Sequence, residues 1–162
     1  TDWLGRWPAG DWAKAWQLAY PRPYRNIVQR ETKKNLVPES LVYAVMREES
    51  AFEPSAESHA AAYGLMQLIV PTAKILAKPL GLPSDASSLK QPTVNIALGT
   101  RGLAELEKTF SQNPLLAIPG YNAGPNRPRR WLRERHLPVT RQHDLVAHAV
   151  LTGGQHLTVD AI

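Results

Sequence analysis

The residues best placed to do chemistry in this sequence are two adjacent glutamates, Glu48 and Glu49. They lie near the end of a stretch reading P-E-S-L-V-Y-A-V-M-R-E-E-S-A-F over residues 38–52. On a helix, at about 100° per residue, Leu41, Val42, Val45, Met46 and Phe52 share one apolar arc, and Glu49 falls in its middle. Glu48 lies at the rim of that arc and Arg47 points the opposite way, so only Glu49 should be strongly desolvated. Loss of water disfavours a charged carboxylate and raises its pKa, which is what a general acid working near neutral pH needs. The same placement also suits a structural acid paired with an inward-facing Arg or a helix N-terminus. The glutamate alone does not choose between these readings.

Other chemistries find little support. Five scattered histidines without an H-E-x-x-H pattern supply no convergent ligand set, so neither a metal nor any other cofactor is expected. Cysteine is absent, which removes disulfides, thiolate sites and a Cys nucleophile. No G-x-S-x-G, G-x-x-x-x-G-K-[ST] or G-x-G-x-x-G occurs, so serine-hydrolase, P-loop and dinucleotide readings fail. What remains is one acid on an apolar face and two loops rich in Gly, Asn, Tyr and Gln, a pattern suited to cleaving a polar polymer by proton transfer.

The elements that must position these groups read as helices. A chain of 162 residues, 43% hydrophobic and 20% charged, fits one ordered globular domain with a core large enough to need no cross-links. No apolar run approaches the roughly 20 residues that span a bilayer, so no transmembrane segment is expected. Thr1 is not an initiator Met and no basic-then-apolar leader follows, so targeting information is expected elsewhere. A formal charge of +5 and a pI near 9.7 point to an anionic partner, for which nucleic acid and an acidic cell-wall polymer both qualify.

Along the chain, Trp3, Trp7, Trp12 and Trp16 mark a lead-in segment over residues 1–23, with a short helix over 12–18 capped by Asp11. Prolines 21 and 23 make an extended connector. A helix follows over residues 24–35, with Ile27, Val28 and Glu31 inward. The helix bearing Glu49 starts with Pro38 and Glu39, which suit a first turn, and should stop at residues 52–54 ahead of Pro54. Thr72 caps a helix to about residue 77, residues 85–90 read as a loop, and a long amphipathic helix spans 94–110 with Ile96, Leu98, Leu103, Leu106 and Phe110 inward. Asn113-Pro114 opens a further helical run that Pro119-Gly120 should interrupt. Residues 126–135 are strongly basic around Trp131, and the divergent tail over 136–162 holds one helical stretch at 144–151. Strand signals are scarce, so the domain should be mainly α.

Taken together, Glu49-Ser50, Ser58 in a small-residue loop, Gly64-Leu65-Met66-Gln67, Pro71-Thr72-Ala73, Asn95-Ile96-Ala97-Leu98-Gly99, Tyr121-Asn122-Ala123-Gly124-Pro125 and Arg130-Trp131 follow an order that resembles the catalytic domain of the soluble lytic transglycosylases. The likeness runs from about Tyr20 to Trp131, which places the catalytic domain at residues 24–135. It implies a goose-type, lysozyme-like helical domain with a glycan-binding groove, monomeric, and periplasmic or otherwise in the cell envelope. The implied reaction is non-hydrolytic cleavage of the β-1,4 bond between N-acetylmuramic acid and N-acetylglucosamine in peptidoglycan, leaving a 1,6-anhydromuramoyl end. By the same resemblance Glu49 matches the catalytic acid/base, Ser58 and Gln67 polar groove residues near the muramoyl sugar, Met66 a groove-lining position, and Tyr121 and Asn122 residues beside the acid. Ser58, Gln67, Tyr121 and Asn122 also read as capping or turn residues.

One acid is enough for that chemistry, whereas ordinary glycosidases need two carboxyl groups flanking the bond. The substrate's own N-acetyl oxygen would stabilise the charge at C1, and the muramoyl C6 hydroxyl, tethered in the same sugar, would then outcompete water. Three departures stand out. Ala61 replaces a glycine usual in the small loop, Gly102 an aromatic usual after N-I-x-L-G, and Pro119-Gly120 the small helical residues usual before Y-N-A-G. They should alter the loop backbone and leave gaps in helices packing on the groove. The acidic closing segment usual beyond Trp131, with its stem-binding glutamate, is absent. Three rival readings stand beside this one: a hydrolytic lysozyme, a glycan-binding module with lost turnover, and a nucleic-acid-binding domain resting on residues 127–135. A solvated helix face explains that basic run equally well, so no nucleic acid partner is expected; the expected partner is the peptidoglycan glycan strand.

Overall fold

The computed structural model describes residues 21–110 and 113–135. The helices expected over 12–18 and 144–151, and the tail segment 136–162, lie outside those residues. Helices dominate: α1 Arg25–Asn35, α2 Glu39–Ser50, α3 Val70–Ala77, α4 Ala86–Leu89, α5 Pro92–Thr109, α6 Pro114–Ala123 and α7 Asn126–Glu134. The strands among the described residues are two-residue pieces, β1 Ala62–Tyr63 and β2 Leu68–Ile69, paired antiparallel with Ala62 opposite Ile69 and Tyr63 opposite Leu68. The mainly α class expected from the periodicity is what the chain adopts. The described residues fall into two compact units divided after Thr100, inside α5.

In the first unit, α1 and α2 pack together through the faces their patterns predict. Val28 is buried on α1, and so is Glu31, whose carboxylate accepts from Arg30 Nε at 2.8 Å. Lys33 and Lys34 sit in the last turn of α1, where positive charge complements the helix dipole. On α2, Val42, Val45 and Met46 form the buried stripe. The helix ends at Ser50, earlier than Pro54 suggests, because Ala51 and Phe52 both enter the left-handed region at φ 51° and 67°. The Ala51 N–H then caps the Arg47 carbonyl at 2.9 Å.

Two further boundaries differ from expectation. Helix α3 begins at Val70, with Thr72 inside it, because Pro71 in the first turn lacks only an N–H that has no intrahelical partner there. Residues 86–89 form α4 where a loop was expected: Asp85 accepts from the N–H groups of Ser87 and Ser88, each at 3.0 Å, and caps a helical turn.

The second unit contains the end of α5 with α6 and α7. Phe110, Leu116 and Leu132 are buried together, with Leu106 and Trp131 against them. Helix α6 runs unbroken through Pro119 and Gly120, contrary to the expected interruption. Tertiary packing overrides propensity: a Cβ on Gly120 would lie 2.9 Å from Phe110 Cε2 and 3.1 Å from Leu106 Cδ2, so only glycine admits this close approach. Burial of Phe110 contributes about 2 to 3 kcal/mol, which offsets the roughly 3 kcal/mol a helix-interior proline costs. Helix α5 likewise continues through Gly102.

Candidate active site

Glu49 lies in the last turn of α2, one residue before the helix ends. Ser50 anchors that end: its Oγ donates to the Leu65 carbonyl at 2.8 Å, with the Met46 carbonyl 3.0 Å away. Leu65 belongs to the four-residue turn Gly64-Leu65-Met66-Gln67 that joins β1 to β2, so one hydroxyl ties the glutamate's helix to the G-L-M-Q hairpin. The left-handed pair Ala51 and Phe52 then turns the chain sharply and sends residues 53–61 back past the glutamate.

These pieces enclose an open cleft of about 500 Å³ lined by residues that include Arg47, Glu48, Glu49, Glu57, Ser58 and Gln67. Glu49 is half-buried and Glu48 exposed. Burial is the larger cause that pushes the Glu49 carboxyl above the usual carboxylate range, and the neighbouring charge of Glu48 adds to it. Among the described residues no hydrogen bond or ion pair reaches the Glu49 carboxyl group. Those residues therefore supply no Arg or helix-terminus partner of the kind a structural acid would need.

Ser58 and Gln67 each have a structural bond and a group left over. Ser58 Oγ accepts from the N–H groups of Ala60 at 3.2 Å and Ala62 at 3.1 Å, which closes the small loop and leaves the hydroxyl hydrogen unused. Gln67, at φ 45°, donates both Nε2 hydrogens, to Gly64 O at 2.9 Å and Ala56 O at 3.3 Å. Both neighbours are carbonyls, which fixes the amide orientation and leaves Oε1 as a free acceptor.

Met66, expected in the groove wall, is fully buried and is not among the residues that line the cleft. Its side chain packs on Gly99, where a Cβ would lie 2.9 Å from Met66 Cβ and from Cε. The thioether thus supports the turn from beneath. Tyr121 and Asn122 occupy the last turn of α6 in the second unit, Tyr121 half-buried and Asn122 exposed.

Two contributors were not picked out by the sequence reading. Asn95, fully buried on α5, accepts from Met66 N–H at 2.7 Å and donates to Leu89 O at 2.7 Å and Tyr63 O at 2.8 Å. It clamps both ends of the G-L-M-Q turn, and its presence inside N-I-A-L-G was the available signal. Glu57 enters the cleft from the small loop, so Glu49 is not the only acid in it. Lys90 Nζ holds the Glu57 carboxylate at 2.9 Å.

The small loop also stores strain. Ala61 sits at φ 54°, the left-handed region that favours glycine, so the loop bends as a glycine would let it. Replacing Ala61 by Gly is expected to raise unfolding stability by about 1 kcal/mol. Chemical denaturation with an unchanged slope on denaturant would check this; a loss of stability would show that the loop is relaxed. Among the described residues no three His, Asp or Glu side chains are placed to hold a metal ion.

An acid at the end of a core helix, facing a groove bounded by a small hairpin, places the chain in the lysozyme-like class of helical domains. The comparisons agree. An inactive Glu-to-Gln mutant of lytic transglycosylase Slt from Pseudomonas aeruginosa superposes with a TM-score of 0.68 at 38% identity, over 72% of this chain and 19% of that one. The chain belongs to the transglycosylase SLT domain family, whose model matches residues 26–142. The soluble lytic murein transglycosylase of Escherichia coli K12 is 36% identical over 115 residues, 70% of this chain and 18% of that protein. Membrane-bound lytic murein transglycosylase C of Klebsiella pneumoniae is 39% identical over 113 residues, 62% of this chain and 31% of that protein. The chain thus spans about a fifth of the soluble relative's length and a third of the membrane-bound one's. Among the described residues no helix is long and apolar enough to cross a membrane.

Proposed function

We propose that this domain is a peptidoglycan lytic transglycosylase acting in the periplasm or cell envelope, with Glu49 as its acid/base. The observation that carries the reading is a half-buried glutamate, unpartnered among the described residues and with a raised pKa, opening on a cleft of about 500 Å³. Family membership and an inactive Glu-to-Gln relative support it. Glu49 in its protonated form gives its proton to the glycosidic oxygen as the bond to C1 breaks. The substrate's N-acetyl oxygen shields C1, and the muramoyl C6 hydroxyl attacks it. Glu49, now a carboxylate, takes the C6 proton and is ready for another turn. The spare hydrogen of Ser58 and the spare Oε1 of Gln67 are donor and acceptor for the N-acetyl arm and ring hydroxyls, and the family resemblance alone assigns Tyr121 and Asn122 to substrate binding. Incubation with purified sacculi followed by mass spectrometry tests this: anhydromuramoyl ends are expected, and reducing muramic ends would refute it.

Glu57 gives the hydrolytic alternative one specific point in its favour, because a second carboxylate in the cleft is what a hydrolase requires. Its ion pair with Lys90 argues against a nucleophile or base. Nor does it figure among the charges that shift Glu49. Glu57→Gln is therefore expected to keep activity within about threefold, the size of effect a partly exposed ion pair carries. A loss of a hundredfold or more, read as soluble product per minute, would make Glu57 a catalytic partner and favour hydrolysis.

A further inference from the structure

Helix α7 carries an arrangement that its own stability does not explain. Arg127, Arg129, Arg130, Arg133 and Arg135 are all exposed, while Pro128 and Leu132 anchor the opposite side in the core. The first turn holds basic residues and no acid, the reverse of what the positive end of the helix dipole favours. Arg129 and Arg133 are four residues apart, so their like charges repel on one face. Glu134 neutralises Arg130 at 2.7 Å, and the Arg135 guanidinium lies 4.8 Å from the Trp131 ring centroid. Among the described residues no ion pair reaches Arg127, Arg129 or Arg133, and the single Glu134 carboxylate is shared between the charges of Arg130, Arg133 and Arg135. Local rules broken on one exposed face are where a functional contact is to be sought.

The cleft does not supply attraction for an anionic polymer, since its lining sets Glu48, Glu49 and Glu57 against Arg47 alone. Yet the polymer proposed as substrate carries peptide stems with free carboxylates. Every cation on this face is an arginine, whose planar fork matches a carboxylate bidentately. We infer that the exposed arginines of α7 form an accessory docking surface for the carboxylate-bearing peptide stems of peptidoglycan, holding the polymer to the domain independently of the cleft. This rests on the proposed substrate.

The test compares the wild-type chain with an Arg129→Gln/Arg133→Gln double variant in binding to purified sacculi across a salt series. The variant is expected to bind roughly five- to tenfold more weakly at low salt, with a shallower salt dependence. Its melting temperature should be unchanged or slightly higher, because a repulsive pair has been removed. Glycan strands stripped of stems by an amidase keep one lactyl carboxylate per muramoyl residue but lose those of the stems, so the advantage of wild type over variant should be much smaller on them than on sacculi. Cleavage of a short stem-free glycan should be the same for both. Equal sacculus binding by the two proteins, or wild-type binding indifferent to stem removal, would overturn the inference. So would retention of duplex DNA or phosphatidylglycerol vesicles more strongly than sacculi through the same two arginines. Arginine-dependent binding without soluble product would instead count against the proposed reaction and leave the docking surface standing.

Discussion

Glu49→Gln is expected to abolish turnover, with release of soluble fragments from sacculi falling by about a thousandfold or more. The size follows from the mechanism: one group serves as both acid and base, and proton transfer by a positioned side chain is worth about 10² to 10⁴ in rate. The amide keeps the shape of the side chain and can neither give nor take the proton. Substrate should still bind, so the loss should fall on kcat with KM little changed. A variant that retains a tenth of the wild-type rate would place the proton donor elsewhere.

The same carboxyl group sets two pH dependences. Its pKa is raised by burial and by Glu48, so it stays protonated to higher pH than an ordinary glutamate. Activity that needs the acid form should decline as pH rises through that raised value. Stability follows the same sign: with the folded pKa above the unfolded one, the native state binds more protons between the two values. The stability contribution is therefore complete below the ordinary carboxylate range and is lost as pH rises through the raised pKa. Glu49→Gln should accordingly melt no lower than wild type at neutral pH, and any advantage it shows there should shrink on acidification. Measuring both proteins by thermal unfolding across the acid range separates a lost catalyst from a lost fold.

The second large effect is expected at Asn95, which touches no part of the cleft. Asn95→Ala leaves the Met66 N–H and the carbonyls of Tyr63 and Leu89 without their partner, two of these three bonds being fully buried. At about 1 to 3 kcal/mol for each unsatisfied buried group, the loss should reach about 3 to 5 kcal/mol. That is a large share of the roughly 5 to 15 kcal/mol a domain has, and it should lower the melting temperature by roughly 10 °C or more. The turn released is the one that holds Gln67, so activity below the melting range should fall too. A variant with unchanged melting temperature would mean the turn is held by other contacts.

The legible features of this chain were local ones. The apolar arc of α2, with a glutamate in its middle, follows from a 3.6-residue period, and that period depends on no other part of the chain. The half-burial of Glu49 and the exposure of Glu48 were therefore readable from fifteen residues. The α4 cap was equally local, and it was overlooked because Asp-Ala-Ser-Ser serves turns and N-caps alike.

The illegible features depended on distant partners. Met66 faces into the core because Gly99, thirty-odd residues later, leaves room for its thioether. Glu57 enters the cleft because two left-handed residues, Ala51 and Phe52, redirect the chain, a conformation that nothing in their types announces. Pro119 remains helical because Gly120 meets Phe110 closely enough to outweigh a missing hydrogen bond.

By itself, then, the sequence determined that the chain is helical, which face of each helix is apolar, and that an acid sits where water is scarce. Periodicity and side-chain type act within a few residues and carry that much. The tertiary structure decided which groups surround the acid and which merely support the turn beside it. Those outcomes turn on single hydrogen bonds and sub-ångström clearances between segments far apart along the chain, where no local preference reaches.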